Sequence, residues 1–346
     1  MRQVAGEHCG AMTTQSEKNR LATRRLGRTG PAVTSPGLGC MGLSGSYGPV
    51  DEREGVRVVH AYLDAGGTLL DTGDFYGSGH NELLIRRALE ERDRDDVVLS
   101  VKFGALAGPD GVMTGFDGRP AAVGNFLAYT LRRLGTEYVD VYRPARLDPS
   151  VPIEETVGAI AEWVEKGYVR HIGLSEVGAE TIRRAAAVAP ICDVQIEYSL
   201  FSRGVEDEIL PVCRELGIGV TAYGVLSRGL IGGRGGVAGF RALSPRFQGE
   251  NLVHNTALAG RVKELAEARG VSAAQLAIAW VGAQGDDIVP VVGSRTLEQV
   301  GTMIDAAGIT LTAEELAEIE AAVPRDAAKG DRYPAHLMAS LDSERR

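Results

Sequence analysis

Short apolar runs alternate with amphipathic stretches along the 346-residue chain from about residue 37 onward. The runs have the length of buried strands, whereas the apolar positions between them recur at the three- and four-residue spacing of helices. We therefore predict strands separated by helices, an order that is typical of a parallel sheet. The predicted strands are Gly37–Met41, Thr68–Thr72, Val97–Lys102, Tyr138–Arg143, Val169–Ser175, Asp193–Tyr198, Ile218–Tyr223 and Ile288–Gly293.

Helix starts and helix faces support this alternation. Asp51 with Glu54, and Thr312 with Glu315, each have the spacing of a capping box at a helix N-terminus. Strands and helices in this number and order are most simply accommodated by a single α/β domain, a (β/α)8 TIM barrel. Two predicted helices each present one apolar face, formed by Ile153, Val157, Ile160 and Val164, and by Val205, Ile209, Val212 and Leu216.

Two stretches are too long to be simple connections between a strand and a helix. They cover residues 104–119 and residues 224–254, the second of which contains the glycine cluster Gly232–Gly236. Long loops in compact domains are usually functional, and both follow the carboxyl ends of predicted strands, where barrel enzymes place their active sites. We interpret both as active-site or cofactor-covering loops; tolerated surface insertions are the alternative.

The segment Gly37–Gly42 matches the glycine pattern GxGxxG of dinucleotide-binding folds. That pattern requires a helix to open at the third glycine, whereas residues 43–50 contain serine, glycine and proline and predict a loop. We therefore predict a tight turn that leads into the barrel here, and not a doubly wound nucleotide-binding domain.

Charge and composition exclude several classes of protein. The net charge is −9 and the acidic residues are spread along the chain, which disfavours nucleic acids and anionic membranes as partners because both require a basic surface. The 4 cysteines form no CxxC pair and the 6 histidines form no cluster, so we predict a cytoplasmic protein without a metal site. No apolar run approaches the roughly 18 residues of a membrane span.

We divide the chain into three parts. Residues 1–24 are polar and predict a disordered extension, residues 25–330 carry the barrel pattern, and residues 331–346 predict a C-terminal tail. The chemistry is therefore expected within the barrel.

Candidate catalytic side chains occur at the ends of two neighbouring predicted strands. Asp71 closes the second strand, Lys102 closes the third, and Tyr76 follows Asp71 by five positions. Adjacent barrel strands bring such side chains to one rim, where a lysine favours tyrosinate and lowers the tyrosine pKa. The alternative is a structural salt bridge beside a packed tyrosine.

Several segments, in the same order along the chain, resemble those of the aldo-keto reductases. The resemblance extends from about Arg25 to about Pro324 and implies a catalytic tetrad that includes Asp71, Tyr76 as general acid, and Lys102. The segments that carry it are RRLGRTG, LDTGDFYG followed by GHNE, VKFG, GYVRHIGLSE, QIEYSLFSR, GVTAYGVLSRG and VVGSRTLEQV.

The resemblance also implies a bound NADPH. Ser175 and Gln195 would hold the nicotinamide carboxamide, and Tyr223 would stack on the nicotinamide ring. Without the resemblance, the alternatives are that Ser175 caps a helix, that Gln195 is a partner of barrel backbone, and that Tyr223 is a core residue. The other implied cofactor-binding residues are Gly39, Met41 and Asp71, Gly224, Leu226, Arg228 and Gly229 beside the pyrophosphate, and Gly293, Arg295 and Gln299 near the adenosine.

The sequence departs from the family pattern at the fourth member of the tetrad, which is normally a histidine. The segment YVDVYRPARLDP matches on both flanks, and Ala145 occupies the histidine position. A lost oxyanion donor costs on the order of 100- to 1,000-fold in rate, and Arg143, Arg146 or His80 are candidate substitutes. Further departures are Glu176 for an amide side chain, Gly224 for a serine, and Thr302 and Met303 where the family often has Glu and Asn.

We therefore predict an NADPH-dependent oxidoreductase that acts on a carbonyl-like group of a small molecule, C=O or alternatively C=N or C=C. An NADPH-binding regulatory or accessory barrel is one alternative, but it does not need the intact set of Asp71, Tyr76 and Lys102. A lyase or isomerase is another, against which Ser175, Gln195 and Tyr223 argue.

Overall fold

The computed structural model describes residues 21–233 and 239–345. Its strands, in chain order, are β1 (Ala22–Arg25), β2 (Ala32–Ser35), β3 (Gly37–Gly39), β4 (Leu69–Gly73), β5 (Val98–Phe103), β6 (Ala105–Ala107), β7 (Met113–Phe116), β8 (Val139–Pro144), β9 (Val169–Ser175), β10 (Ile191–Glu197), β11 (Gly219–Tyr223) and β12 (Ile288–Gly293). Strands β3, β4, β5, β8, β9, β10, β11 and β12 pair in parallel and close into a barrel. The predicted (β/α)8 fold is confirmed.

Most of the helices pack around this barrel with their apolar faces turned inward, whereas the short α11 has no buried residue. They are α1 (Glu52–Asp64), α2 (His80–Leu89), α3 (Pro120–Leu134), α4 (Ile153–Glu165), α5 (Ala179–Val188), α6 (Ile209–Leu216), α7 (Gly249–Ala268), α8 (Ala273–Gly282), α9 (Leu297–Ala306), α10 (Ala313–Ala322) and α11 (Ala335–Met338). None of the helices in the described ranges is long and apolar enough to cross a membrane.

The barrel interior changes character from one end to the other. At the amino ends of the strands, Leu69, Val141 and Val289 form an apolar cluster with Leu26 and Val33, and the antiparallel hairpin β1–β2 closes this end. Toward the carboxyl ends the buried residues become polar. These polar residues are Asp71, Ser100, Lys102, Arg143, Asp193, Gln195 and Thr221.

The predicted helix caps are confirmed in one case and half formed in the other. Thr312 and Glu315 make both hydrogen bonds of a capping box at the start of α10. Asp51 accepts from the backbone amides of Arg53 and Glu54 at the start of α1. The Glu54 carboxylate, however, pairs with Arg57 at 3.0 Å, because this partner lies one helical turn away on the same face.

Both predicted apolar helix faces pack inward. In the first, Ile153, Val157 and Ile160 are buried and Val164 is partly buried. In the second, α6 begins only at Ile209, and Val205 belongs to a preceding 3-10 turn.

The predicted long loops contain more regular structure than expected. Residues 104–119 include the antiparallel hairpin β6–β7. The second predicted loop, residues 224–254, ends earlier than expected, because α7 begins at Gly249. Before α7 the described residues form three short 3-10 turns, Ser227–Gly229, Gly239–Leu243 and Pro245–Phe247. Residues 234–236 of the glycine cluster lie outside the described residues.

The glycine-rich segment after β3 forms the predicted turn. A 3-10 turn, Met41–Ser44, begins the connection, and α1 starts only at Glu52. The barrel places Gly37–Gly39 in its first strand, so no nucleotide-binding helix opens at Gly42.

The structure describes little of the predicted N-terminal extension and nearly all of the predicted C-terminal tail. Residues 1–20 lie outside the described residues, whereas residues 22–24 belong to β1. The described part of the predicted tail, residues 331–345, packs across the carboxyl end of the barrel, and Arg332 and Tyr333 are both buried there.

Candidate active site

Asp71, Lys102 and Gln195 form a closed hydrogen-bonded triangle inside the barrel mouth. The Lys102 ammonium donates to Asp71 Oδ2 and to Gln195 Oε1, each at 2.7 Å. Gln195 Nε2 in turn donates to Asp71 Oδ1 at 2.7 Å. All three side chains are buried, so the lysine is held in one position by an ion pair that water hardly screens.

A second polar layer supports this triangle from below. Ser100 donates to Asp71 Oδ1 at 3.0 Å, and Arg143 donates to Ser100 at 3.0 Å. Arg143 also pairs with Asp193 at 3.0 Å, and both side chains are fully buried. The register places these residues together, because Asp71 pairs with Ser100, and Lys102 pairs with Arg143 on the next strand.

Tyr76 lies beside this triangle on the turn that follows β4. Its ring centroid is 5.3 Å from the Lys102 ammonium, and the side chain is 7% exposed. Burial, and then the Asp71 carboxylate, raise the pKa of the Tyr76 phenol well above its usual value. This direction is opposite to the lowering that the sequence predicts, because burial and the Asp71 carboxylate dominate the shift.

The Tyr76 phenol is therefore protonated at neutral pH and has a proton to donate. Burial lowers the pKa of Lys102, and Asp71 opposes this shift.

The turn that carries Tyr76 needs a glycine at Gly79, where φ is +93° and a Cβ would lie 2.7 Å from Arg133 Cδ. Helix α2 begins directly after it.

Ala145 follows β8 and is 2% exposed. Two of the three candidate substitutes for a histidine at this position are already engaged elsewhere. Arg143 is buried among Ser100, Asp193 and Thr221, and the His80 Nδ1 lies 3.0 Å from Ser44 Oγ. Arg146 alone turns into the mouth, where its Nη1 lies 3.4 Å from Ser175 Oγ.

Tyr223, predicted to stack on a nicotinamide ring, ends β11 beside residues of the C-terminal segment. Its hydroxyl donates to Glu176 Oε1 at 2.6 Å and lies 2.9 Å from the hydroxyl of Tyr333. Ser175 is buried at the end of β9. Ser175, Gln195 and Tyr223 are therefore on consecutive strands at one rim, as the pairing of Gln195 with Ser175 and Thr221 requires.

Glu176 and Glu197 are buried carboxylates that bind Arg332. The Arg332 guanidinium lies 2.8 Å from Glu176 Oε2 and 3.2 Å from Glu197 Oε2. Burial alone would raise the pKa of Glu176, but Arg332 holds it well below its usual range. Both carboxylates are therefore charged at neutral pH.

The predicted pyrophosphate-side residues lie on the turn after β11. Gly224 has φ +69°, and a Cβ there would lie 2.9 Å from Glu197 Cγ, so a side chain at this position would strain the backbone and displace Glu197. Leu226 precedes the 3-10 turn Ser227–Gly229, in which Arg228 has a positive φ of 55°. Arg228 donates to the backbone oxygen of Arg332 at 2.6 Å.

The predicted adenosine-side residues gather at the turn between β12 and α9. Gln299 accepts from the backbone amide of Arg295 at 2.6 Å, and Gly293 is exposed beside Gly39. The Arg295 guanidinium donates to backbone oxygens of residues 47–49, next to the turn that contains Met41. Thr302 bonds within α9, and Met303 is fully buried in the core, so its side chain does not point to this surface.

The sequence pattern did not single out Glu197, Arg246, Arg332 or Tyr333. They come together only because the segment after Gly330 folds back over the ends of β9, β10 and β11. The only signal in the sequence is the DRYP segment, an arginine and an aromatic residue in an otherwise polar stretch.

No group of three or more histidine, cysteine, aspartate or glutamate side chains in residues 21–233 and 239–345 is arranged to hold a metal ion. The polar groups of the barrel mouth instead include a protonated phenol beside a buried ammonium, together with neutral and cationic hydrogen-bond donors. Such a site can protonate a developing oxyanion and stabilise the negative charge left behind.

Comparisons with known proteins identify the family of this chain. The model of the aldo/keto reductase family matches residues 37–324, which is most of the chain. The curated protein "Probable aldo-keto reductase 1" from Glycine max is 43% identical over 317 residues, covering 89% of this chain and 91% of that protein. The chain therefore belongs to the aldo/keto reductase family, which confirms the resemblance noted in the sequence.

Solved structures show the same relationship. The glycerol dehydrogenase from Gluconobacter oxydans superposes with a TM-score of 0.80 at 30% identity, covering 92% of this chain and 98% of that one. An aldo-keto reductase from Bacillus halodurans in its holo form gives 0.74 at 27% identity, covering 90% and 99%. Family and fold are those of an oxidoreductase that acts on small molecules with a nicotinamide cofactor.

Proposed function

We propose that this protein is an NADPH-dependent oxidoreductase that reduces a carbonyl-like group of a small molecule, C=O, C=N or C=C, with Tyr76 as the proton donor. The observation that carries the proposal is the buried triangle of Asp71, Lys102 and Gln195 beside the protonated phenol. A barrel that served only to bind a partner would not need this arrangement, since the cost of desolvating a buried ion pair can exceed the stability that the pair contributes.

The chain also has groups that suit the cofactor. At the turn before α9, Ser294 Oγ and Arg295 Nε are buried and have no hydrogen-bond partner among the described residues. Buried polar atoms without partners are rare in native proteins and often mark a ligand site. A phosphate near the N-terminus of α9 would suit both the helix dipole and the Arg295 guanidinium.

Each residue of the mouth has a defined task in the proposed reaction. The cofactor, when bound, supplies a hydride from its nicotinamide ring. Ser175 and Gln195 hold the carboxamide side of that ring, and Tyr223 packs against its face. Tyr76 gives its phenolic proton to the substrate, and the Lys102 ammonium stabilises the phenolate that remains, while Asp71 keeps the ammonium charged and in place.

Tyr76→Phe tests this proposal because it removes only the phenol oxygen. Turnover of aldehydes, cyclic imines and enones is followed by the loss of NADPH absorbance. We expect turnover to fall by at least about 100-fold, the usual scale for a lost general acid. The dissociation constant of NADPH, from fluorescence titration, should be nearly unchanged.

The matched control is Tyr129→Phe, which removes the same atom from an exposed tyrosine on α3 and should leave turnover intact. Full turnover by Tyr76→Phe would show that Tyr76 only packs and would contradict the proposed proton donor. An iminium substrate needs no proton from the enzyme, so its turnover by Tyr76→Phe would fall less. The turnover of aldehydes therefore decides whether Tyr76 is the proton donor.

A further inference from the structure

Arg146 occupies an unusual position among the cations of the barrel mouth. It follows Ala145 directly after β8, and its guanidinium reaches the end of β9 and the C-terminal segment. Its Nη1 donates to the backbone oxygen of Ala145 at 2.6 Å and lies 3.4 Å from Ser175 Oγ. Its Nη2 lies 3.3 Å from the hydroxyl of Tyr333. All of these partners are neutral oxygens.

The other arginines of the mouth each contact a carboxylate. Arg228 lies 3.3 Å and Arg246 lies 3.6 Å from the Glu197 carboxylate, and Arg332 contacts both Glu176 and Glu197. Arg146 has no carboxylate within 4.0 Å in the part of the chain that the structure describes. Among Arg146, Arg228, Arg246 and Arg332, Arg146 is therefore the arginine that no carboxylate of the described residues contacts directly.

The nearest candidate counter-charge, Glu176, is already saturated. Its Oε1 accepts from the backbone amide of Glu197, from Tyr223 and from Arg332, at 3.0, 2.6 and 3.0 Å. Its Oε2 accepts from Arg332 and Ser343, at 2.8 and 2.6 Å. Glu176 therefore acts on Arg146 only through its charge, which raises the pKa of the guanidinium, and its oxygens are hydrogen-bonded to other groups.

We infer that Arg146 binds a carboxylate of the substrate, so that the enzyme selects carbonyl compounds that also carry an acidic group. This inference rests on the proposed reductase function. A partly buried cation is costly unless it is paired, and a guanidinium presents two parallel donors that match a carboxylate. A neutral aldehyde or ketone would bring no negative charge to this position.

The position of Arg146 suits a substrate whose carbonyl group meets Tyr76. The positive charge of Arg146 lowers the pKa of the Tyr76 phenol, partly opposing burial and Asp71, and it also lowers that of Lys102. The guanidinium is therefore within electrostatic range of both residues. The carboxylate takes no part in the bond changes, which remain those of the proposed reduction.

Matched substrate pairs test the inference. We compare 4-carboxybenzaldehyde with its methyl ester, and succinic semialdehyde with butanal, with NADPH as cofactor. The acid of each pair should have a kcat/KM about tenfold or more above its neutral partner, the scale of one charge-assisted interaction. In Arg146→Gln this ratio should fall to near one, mainly through a higher KM for the acid.

Two further variants show whether the preference for acids depends on the positive charge of Arg146, on its two-donor geometry, or on the loss of any arginine. Arg146→Lys keeps the positive charge but loses the two-donor fork, so it should retain part of the preference for acids. Arg132→Gln removes an exposed arginine on α3 and should leave the ratio of the wild type unchanged.

A binding measurement complements the kinetics. Titration of 4-(hydroxymethyl)benzoate into the protein with NADP⁺, by calorimetry, should give a dissociation constant that Arg146→Gln raises about tenfold or more. The NADPH dissociation constant should stay the same in this variant. Weaker NADPH binding would instead assign Arg146 to the nicotinamide carboxamide and overturn the inference.

The remaining outcomes distinguish the two proposals. Equal kcat/KM for acid and ester in the wild type would overturn the carboxylate site and leave the reductase function standing. An equal loss of both substrates in Arg146→Gln would mean that Arg146 contacts the carbonyl oxygen, which also overturns it. If nothing is reduced but the carboxylate still binds through Arg146, the site stands and the reductase function fails.

Discussion

Glu176 follows Ser175 at the end of β9 with a positive φ of 52°, and its carboxylate is fully buried. A non-glycine residue in the left-handed region is strained and persists only where its surroundings fix it. Here Arg332, Tyr223 and Ser343 hold the side chain. The carboxylate that replaces the usual amide therefore anchors the C-terminal segment.

Ala145→His tests the interpretation that Ala145 stands at the position of a tetrad histidine. Restoring an imidazole at this position should add a donor for the substrate oxygen, and a donor of this kind contributes on the order of 100-fold in rate. We expect a higher kcat/KM for small neutral aldehydes and a lower one for the native substrate. Steady-state kinetics with small neutral aldehydes and with the native substrate measure whether kcat/KM rises for the first and falls for the second.

Ala145→Leu is the control, since it fills space without a donor and should lower activity on both classes. If the histidine variant gains nothing on small aldehydes that the wild type already reduces well, another group polarises the carbonyl. Arg146 would then be the next residue to replace.

Asp74 gives the protein a stability that depends on pH. Burial, and then the Glu82 carboxylate, raise the pKa of Asp74 to about 7, and Asp74 Oδ1 and Glu82 Oε1 have no hydrogen-bond partner among the described residues. Between about pH 4 and pH 7 the folded protein keeps a proton that the unfolded chain has released, so stability falls as the pH rises through this window.

Asp74→Asn should remove this dependence. From pH 5 to pH 8 the wild type should lose on the order of 1–3 kcal/mol more of its unfolding free energy than the variant. Urea unfolding at the two pH values measures the difference, and Asp96→Asn, an exposed position, is the control. Parallel pH profiles for wild type and Asp74→Asn would show that Asp74 is ionised throughout.

At the residue scale, the sequence could predict which side chains meet but not their protonation. Asp71 and Lys102 are predicted to meet because they close neighbouring strands, and the structure brings them into contact. The contact of Gln195 with Lys102 is not predicted from the strand order. The direction of the Tyr76 pKa shift depends on how deeply the phenol is buried and on how close the Asp71 carboxylate lies to it. Neither quantity can be obtained from spacing.

At the scale of elements, the turn before α9 is coupled to the loop after β3. The Arg295 guanidinium donates to the backbone oxygens of Tyr47, Gly48 and Pro49, at 2.8, 3.0 and 2.8 Å. A phosphate at this turn would compete with these oxygens for the same donors. Binding of NADPH is therefore expected to loosen the loop at residues 45–50 from Arg295.

Arg295→Ala should narrow the preference for NADPH over NADH. Two charge-assisted hydrogen bonds to a 2′-phosphate contribute enough for a difference of about tenfold or more in dissociation constant. Fluorescence titration of both cofactors measures this ratio, and Arg295→Lys should retain part of it. Equal dissociation constants for NADPH and NADH in the wild type would contradict the role assigned to Arg295.

The predicted strands agree with the barrel strands to within two residues at nearly every end, because buried parallel strands are continuous apolar runs. The long loops were harder to predict. The hairpin β6–β7 has exposed residues such as Leu106 and Met113, and hence no clear alternation of buried and exposed positions. The start of α7 was missed because its first turn, GENL, carries no Ser, Thr, Asp or Asn cap before it.

At the scale of the whole molecule, Arg332 joins the C-terminal segment to two barrel strands. Arg332→Met should destabilise the protein by about 3–5 kcal/mol, because Glu176 and Glu197 would remain buried and charged without their shared partner. Adding Glu176→Gln should recover part of this loss. Chemical denaturation of the three proteins gives the unfolding free energies, and an unchanged midpoint for Arg332→Met would show that the segment is only loosely held.

This long-range contact could not be predicted from the sequence. Arg332 and Glu176 are 156 positions apart, and neither lies on a periodic face. The sequence predicts this segment as a C-terminal tail, but its Arg332 pairs with two buried carboxylates of the barrel. Local composition gives no information about such pairing.

The path of the C-terminal segment also bears on how the protein can be handled. Asp342 accepts from the backbone amide of Gly178 at 2.8 Å, so the chain reaches its last described residues beside the end of β9. An affinity tag, a fluorescent protein or a surface linker joined after these residues would start next to the barrel mouth. A tethered or immobilised form should be attached elsewhere, for example through an introduced cysteine on the exposed face of α3, so that substrates can still diffuse in.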